Sequence, residues 1–254
     1  MAFTVSHAVL APLLHKLSYH SLPIAALAIG CMAPDLYRLF TSENSNTTHQ
    51  WNSILTHTLW LGLGFCVVWY ALYRPVLYRF LGLQDPITLN NLKGGFVFIN
   101  MTVVALILGI CTHLIWDGLT HADFRTFIFH DFLAQNVMLF GQQFPLHRVL
   151  QIGSSFLALP FILWASWHYY QQHRQHVAVP QAIRIWAAVI LGLSLLIASF
   201  SALDYLRHIP EAYFAMGLYH ITGKTINEFS QGFLITFSLG CLLFLFFDRN
   251  QRLG

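Results

Sequence analysis

The sequence predicts an all-α integral membrane protein: a bundle of about five transmembrane helices plus an N-terminal re-entrant or interfacial helical segment. Three observations predict it. Only 9% of the 254 residues are charged, where a soluble domain carries about 25%. Hydrophobic residues make up 56%, and the mean hydropathy is +0.58. Five apolar runs are long enough to cross a hydrocarbon core, which takes about 20 helical residues, and no ionisable residue lies deep inside any of them. The net charge of +3 is small and scattered, which argues against nucleic-acid binding.

Taken in chain order, the N-terminus "MAFTVSHAVLAPLLHK" lacks a basic leader and a small-residue cleavage site, and it reads as mature sequence. "SLPIAALAIGCMAPD" is apolar only over Leu22–Pro34 and is interrupted by Pro23, Gly30 and Pro34. That is too short to span, so a re-entrant or interfacial segment packed on the bundle is expected. Residues 41–53, "TSENSNTTHQWNS", read as a polar loop. The spans are then Ile54–Tyr73, Phe96–Trp116, Val149–Tyr169, Ile183–Leu203 and Gln231–Phe247. Polar or breaking residues bound them: "YRP" after the first, "NNLKGG" before the second, "QQHRQH" after the third and "DRNQR" after the fifth. A single membrane domain over 1–254 is expected, with 1–53 as the outer segment and 54–254 as the bundle. Cys31, Cys66, Cys111 and Cys241 lie singly in or beside apolar stretches and read as small buried residues, not disulfides.

Lys and Arg in the connections give the orientation. With the N-terminus outside, the short inner connections hold Arg74, Arg79, Lys93, Arg174, Arg184, Arg249 and Arg252. Lys16, Arg38, Arg125, Arg148, Arg207 and Lys224 are spread over longer outer ones. The expected topology is therefore N-terminus out and C-terminus cytoplasmic.

This topology brings candidate metal ligands to one face. "GICTHLIWDGLTH" places His113, Asp117 and His121 at i, i+4 and i+8, one drifting stripe of a helix. His57 falls near the outer end of the first span, and His7, Asp35 and His49 belong to the N-terminal outer segment. Imidazole and carboxylate suit zinc and similar divalent ions, and a site needs at least three protein groups. The alternative is that these histidines are interfacial residues with their polar tips in water. Asp117 favours the metal, because a carboxylate at the hydrocarbon edge is costly unless paired or coordinated. His168, His173 and His176 sit in an aromatic and cationic interfacial belt. His15 and His20 flank Lys16 and read as solvated or capping groups, while His208, His220, Glu211 and Glu228 fall in an outer loop 204–229.

"FTVSHAVLAPLL", "AIGCMAPDLYRLF", "LTHTLWLG", "LGICTHLIWDGLTH" and "VLQIGSS" resemble a bacterial integral-membrane family, the domain-of-unknown-function family 4184. Ala8 and Cys31 stand where that family usually has proline and serine. More distantly, the pattern is similar to inner-membrane metal-dependent hydrolases and to the zinc-dependent phospholipase C and S1–P1 nuclease fold. That resemblance implies His7, Asp35, His57, His113 and Asp117 as ligands, with His121 a further one. The later ligand pair of the soluble enzymes has only His147 with Gln151 as its best match, and Met1 replaces their N-terminal Trp. One or two ions, zinc first, are therefore expected.

The leading expectation is a hydrolase of an ester or phosphoester, possibly lipid-linked, at the outer face of the bacterial cytoplasmic membrane, with Asp117 or Asp35 ligating or orienting water. From the outer loops Arg125, Arg148, Arg207 or Lys224 could bind a phosphate, the alternative reading being ordinary surface cations. Two alternatives come from other classes: a scaffold whose metal pins the N-terminal segment, and a divalent-metal transporter. The second is disfavoured by the lack of repeats and of a deep charge.

Overall fold

The computed structural model describes residues 4–41, 47–87, 91–209, 217–249 and 252–253. Two short helices, α1 (Ala11–Leu17) and α2 (Ile24–Leu36), precede α3 (Ile54–Leu81), α4 (Leu92–Thr120), α5 (Leu146–His173), α6 (Gln181–Arg207) and α7 (Leu218–Phe247). The last five are long and apolar enough to cross a membrane. The chain is thus a predominantly helical, multi-pass membrane protein in outline, and the five apolar runs lie inside these five helices.

Local chemistry sets the helix ends. The Asn91 side chain caps α4 by accepting from Gly94 N at 2.7 Å. Gly82, with φ +61°, closes α3 in the left-handed conformation that glycine adopts without steric cost. "YRP" does not end α3 as expected. A π-helical stretch at Trp69–Tyr73 immediately precedes Arg74–Pro75, and its looser ladder accommodates the missing proline N–H.

Two other expectations are corrected. The segment from Leu218 to Gln231 is helical, as are residues 204–207, so helix covers both ends of the loop expected at 204–229; Glu211 lies outside the described residues. The polar first turns of α7 hid it from hydropathy. Second, Asn136–Leu139 and Gln142–Pro145 form an antiparallel hairpin, with Leu139 paired to Gln142. Phe140 and Gly141 make its two-residue turn with φ of +51° and +77°, the handedness that matches strand twist.

The chain divides into two compact units. One comprises residues 1–66 and 88–169, and its centre is the crossing of α2 over α4. Gly30 and Gly109 make that crossing close: a Cβ at Gly30 would lie 2.5 Å from Leu106 O, and one at Gly109 2.5 Å from Leu27 O. Small residues are how two helices bring their backbones together in lipid.

The other unit comprises residues 67–87 and 170–254. Val76, Ile183, Ile190, Phe237, Cys241 and Phe244 form its core. The Phe80 and Phe244 rings meet edge to face at 4.8 Å, and Arg79 holds Asp248 through two hydrogen bonds of 3.0 and 3.3 Å. Phe244→Ala should destabilise the protein by about 3–5 kcal/mol through the cavity it leaves. The change should lower the midpoint of thermal unfolding in detergent.

Candidate metal centre

The α2–α4 crossing sets the site. One to two turns beyond Gly30, α2 ends in Asp35; one and two turns beyond Gly109, α4 presents His113 and Asp117. His7 comes from the 3-10 turn Thr4–Leu10, and His49 from the short turn Thr47–His49. Four separate segments therefore deliver five side chains, all buried, to one cluster. Two triads have ligand atoms within 4.8 Å of one another: His7, Asp35 and His113, and His49, His113 and Asp117.

Each side chain is held from behind. His113 Nδ1 donates to the Cys31 carbonyl at 2.7 Å, which leaves Nε2 as the lone-pair nitrogen. Thr4 Oγ1 donates to Asp35 Oδ2 at 3.0 Å. Thr48 Oγ1 donates to the Pro34 carbonyl at 2.8 Å and lies 3.4 Å from His49 Nδ1. His49 Nε2 donates to Asp35 Oδ1 at 3.3 Å and lies 3.7 Å from Asp117 Oδ2. The His7 and His113 rings stack at 3.9 Å. His7 Nδ1 and His113 Nε2 are buried without a hydrogen-bond partner.

Charge states favour ligation. Burial, reinforced by His113, drives the His7 pKa down to about 3, and burial also lowers that of His49. Both rings are neutral at ordinary pH, as ligands must be. Burial alone would raise the Asp35 carboxyl, but Arg38 and His49 outweigh it and hold it well below the usual carboxylate range. Arg38 Nη1 lies 3.4 Å from Asp35 Oδ1, and Arg125 Nη1 lies 3.2 Å from Asp117 Oδ2. The donor set is nitrogen and oxygen only. The nearby Cys31 thiol bonds Thr112 Oγ1 at 3.2 Å, and burial pushes it up to about 11, so it stays a thiol. Three imidazoles and two carboxylates, two of their nitrogens orphaned, fit a zinc-type divalent ion.

The cluster gathers His7, Asp35, His113 and Asp117 from the residues the sequence singled out, and it adds His49, a candidate on the same face that the resemblance left out of its ligand set. His57 is not part of it. Its neighbour Thr58 faces inward, bonded to Ser53 Oγ at 3.1 Å, and the turn of the helix leaves His57 exposed with Nδ1 against Thr56 Oγ1 at 2.8 Å. His121 lies beside the cluster, outside both triads. α4 ends at Thr120, so the i, i+8 stripe breaks there. His121 Nδ1 donates to the Asp117 carbonyl at 3.0 Å, and Gln151 Nε2 donates to its Nε2 at 2.6 Å, which occupies the lone pair. His147 donates from Nδ1 to the Leu133 carbonyl at 3.3 Å, also outside both triads. Arg38 was missed; the signal was its i, i+3 spacing from Asp35 on a helix end.

No curated protein and no solved structure matches this chain. The model of one family, Domain of unknown function (DUF4184), matches residues 1–246, which is nearly the whole sequence, and the chain belongs to that family.

Proposed function

We propose that the chain is a membrane-embedded, metal-dependent hydrolase of phosphoesters or esters, lipid-linked ones included. Its centre holds one or two divalent ions, zinc by its donor set, through His7, Asp35, His49, His113 and Asp117. The observation that carries this reading is the pair of buried, unpartnered nitrogens, His7 Nδ1 and His113 Nε2, within a cluster of two carboxylates. Leaving such atoms unsatisfied costs about 1–3 kcal/mol each, and a coordinated cation removes that cost.

The Lys and Arg concentrated in the short inner connections argue for a centre on the outer face of the bacterial cytoplasmic membrane, with the N-terminus out and the C-terminus in. The 13 residues of α2 are too few to span, and the helix packs on α4, in keeping with a re-entrant or interfacial segment.

Bound there, the ion supplies Lewis acidity, activating water at neutral pH and polarising a phosphoryl or acyl oxygen. The chain supplies the rest. Asp35 and Asp117 are ionised acceptors placed to hold or receive a proton, as ligands or as orienting groups. Arg38, whose side chain is 26% exposed, sits at the rim of the cluster, where an anionic phosphoester oxygen can meet its charge.

The test compares His49→Ala with His57→Ala. Loss of bound zinc and of hydrolysis in a phosphoester and phospholipid panel is expected for His49→Ala, and neither for His57→Ala. Equal behaviour of the two variants would defeat the assignment. A second reading, a structural metal pinning the N-terminal segment, draws on the depth of burial: every one of the five side chains is at most 8% exposed. Coordination filled entirely by protein atoms, with no hydrolysis in the panel, would favour it.

A further inference from the structure

We propose that the connection between α4 and α5, residues 121–145, lies in the headgroup–acyl boundary of the bilayer and inserts its hairpin tip, Met138–Phe140, into the lipid. This does not rest on the hydrolase reading and would stand if the centre held no metal.

The connection leaves α4 after Thr120 and enters α5 at Leu146, so two membrane-spanning helices deliver both its ends to the same bilayer surface. A connection facing water is expected to be polar. This one is not: from Thr126 to Leu146, Asp131 is the only Asp, Glu, Lys or Arg. Phe127, Phe129, Phe132, Met138, Leu139 and Phe140 are all exposed large apolar side chains, and Phe140 is fully so at 101%. Burying none of them inside the protein leaves an apolar surface larger than a soluble loop carries.

The turn itself is built for display. A two-residue turn with both φ values positive is relaxed with Asn-Gly or Asp-Gly. Here Phe140 takes the first position at φ +51°, a conformation that is costly for a bulky residue. The strain places an aromatic ring at the outermost point of the hairpin, and such strain is worth keeping where the ring has a partner.

The partner is lipid. The adjoining helix ends also carry exposed apolar side chains, Ile115 and Leu119 on α4 and Leu150 and Ile152 on α5. Exposed apolar side chains are therefore present on both helix ends and on the connection between them. A four-residue strand reaches about 13 Å, enough for the 5–10 Å depth at which interfacial elements settle. The same connection carries Arg125, which touches Asp117, and the contact is fixed by Phe127 packing on Gly118, where a Cβ would lie 2.1 Å from the ring. One element thus meets both the lipid and the cluster.

The experiment labels Phe140→Cys, Met138→Cys and the control Asp131→Cys with an environment-sensitive fluorophore, each with Cys111 replaced by Ala, in phosphatidylcholine nanodiscs. Doxyl lipids quench from within the bilayer, and iodide quenches from water. The expected result is doxyl quenching at 138 and 140 exceeding that at 131 by roughly threefold, with the iodide order reversed. Iodide quenching at 138 and 140 equal to that at 131 would overturn the proposal. So would shielding from both quenchers, which would mean that protein covers the tip. Either tip position alone decides the matter if the other variant fails to fold.

Discussion

On the proposed ligand set, Asp117→Asn should leave the chain folded and weaken metal binding by about 100-fold. The substitution preserves shape and removes one negative charge from a carboxylate that faces four histidines and an arginine. His7 Nε2, His49 Nε2, His113 Nε2 and His121 Nδ1 lie 3.6–3.8 Å from its oxygens, and Arg125 Nη1 lies at 3.2 Å. Among the described residues no other carboxylate has so many ion-pair partners. The fold survives because Arg125 keeps Asp123 on two nitrogens, Nε at 2.9 Å and Nη2 at 2.5 Å. His113 also keeps its bond to the Cys31 carbonyl. Elemental analysis of the purified variant beside wild type checks the loss, and thermal unfolding checks the fold. A variant that retains full metal would remove Asp117 from the ligand set.

The second large effect comes from a residue with no ligand atom. Gly109→Val should unmake the site by separating α2 from α4. Even the first carbon of the new side chain would lie 2.5 Å from Leu27 O and 2.7 Å from Cys31 N, both backbone atoms that cannot swing aside. Relief requires the helices to part, which costs about 1–3 kcal/mol or more in overpacking. It also carries Asp35 and the Cys31 carbonyl away from His113. The expected outcome is a lowered unfolding midpoint together with loss of bound metal, while Gly95→Val, at an open position of the same helix, changes neither. Normal metal content in Gly109→Val would mean that the crossing does not set the centre.

The parts of the site legible in the sequence were those carried by a regular helix. His113 and Asp117 are one turn apart on an unbroken apolar run, and the i, i+4 rule alone puts them on one face. The stripe failed at His121 because helix termination is a local event: the chain turns extended there, and the ring folds back on the Asp117 carbonyl. His57 failed for a different reason. Hydropathy gives the depth of a residue in a span but not the direction it faces, and the inward position belongs to Thr58. His49 was hard to weigh because its turn follows a polar stretch with no periodicity, and only the burial of Thr48 and His49 against Pro34 and Asp35 fixes it. At the level of the fold, the five apolar runs were plain from composition. The hairpin was not, because its turn uses Phe-Gly where Asn-Gly is the usual signal, and α7 was shortened because its first turns are too polar for a hydropathy window.

The central claim is that these residues hold a metal, and the most direct measurement is on wild-type protein purified with zinc, desalted and analysed for elemental content and zinc K-edge absorption. The account predicts one or two zinc ions per chain, bound by nitrogen and oxygen with imidazole scattering at about 2.0–2.1 Å and no sulfur shell. Zinc well below one ion per chain, or a sulfur shell at about 2.3 Å, would contradict it.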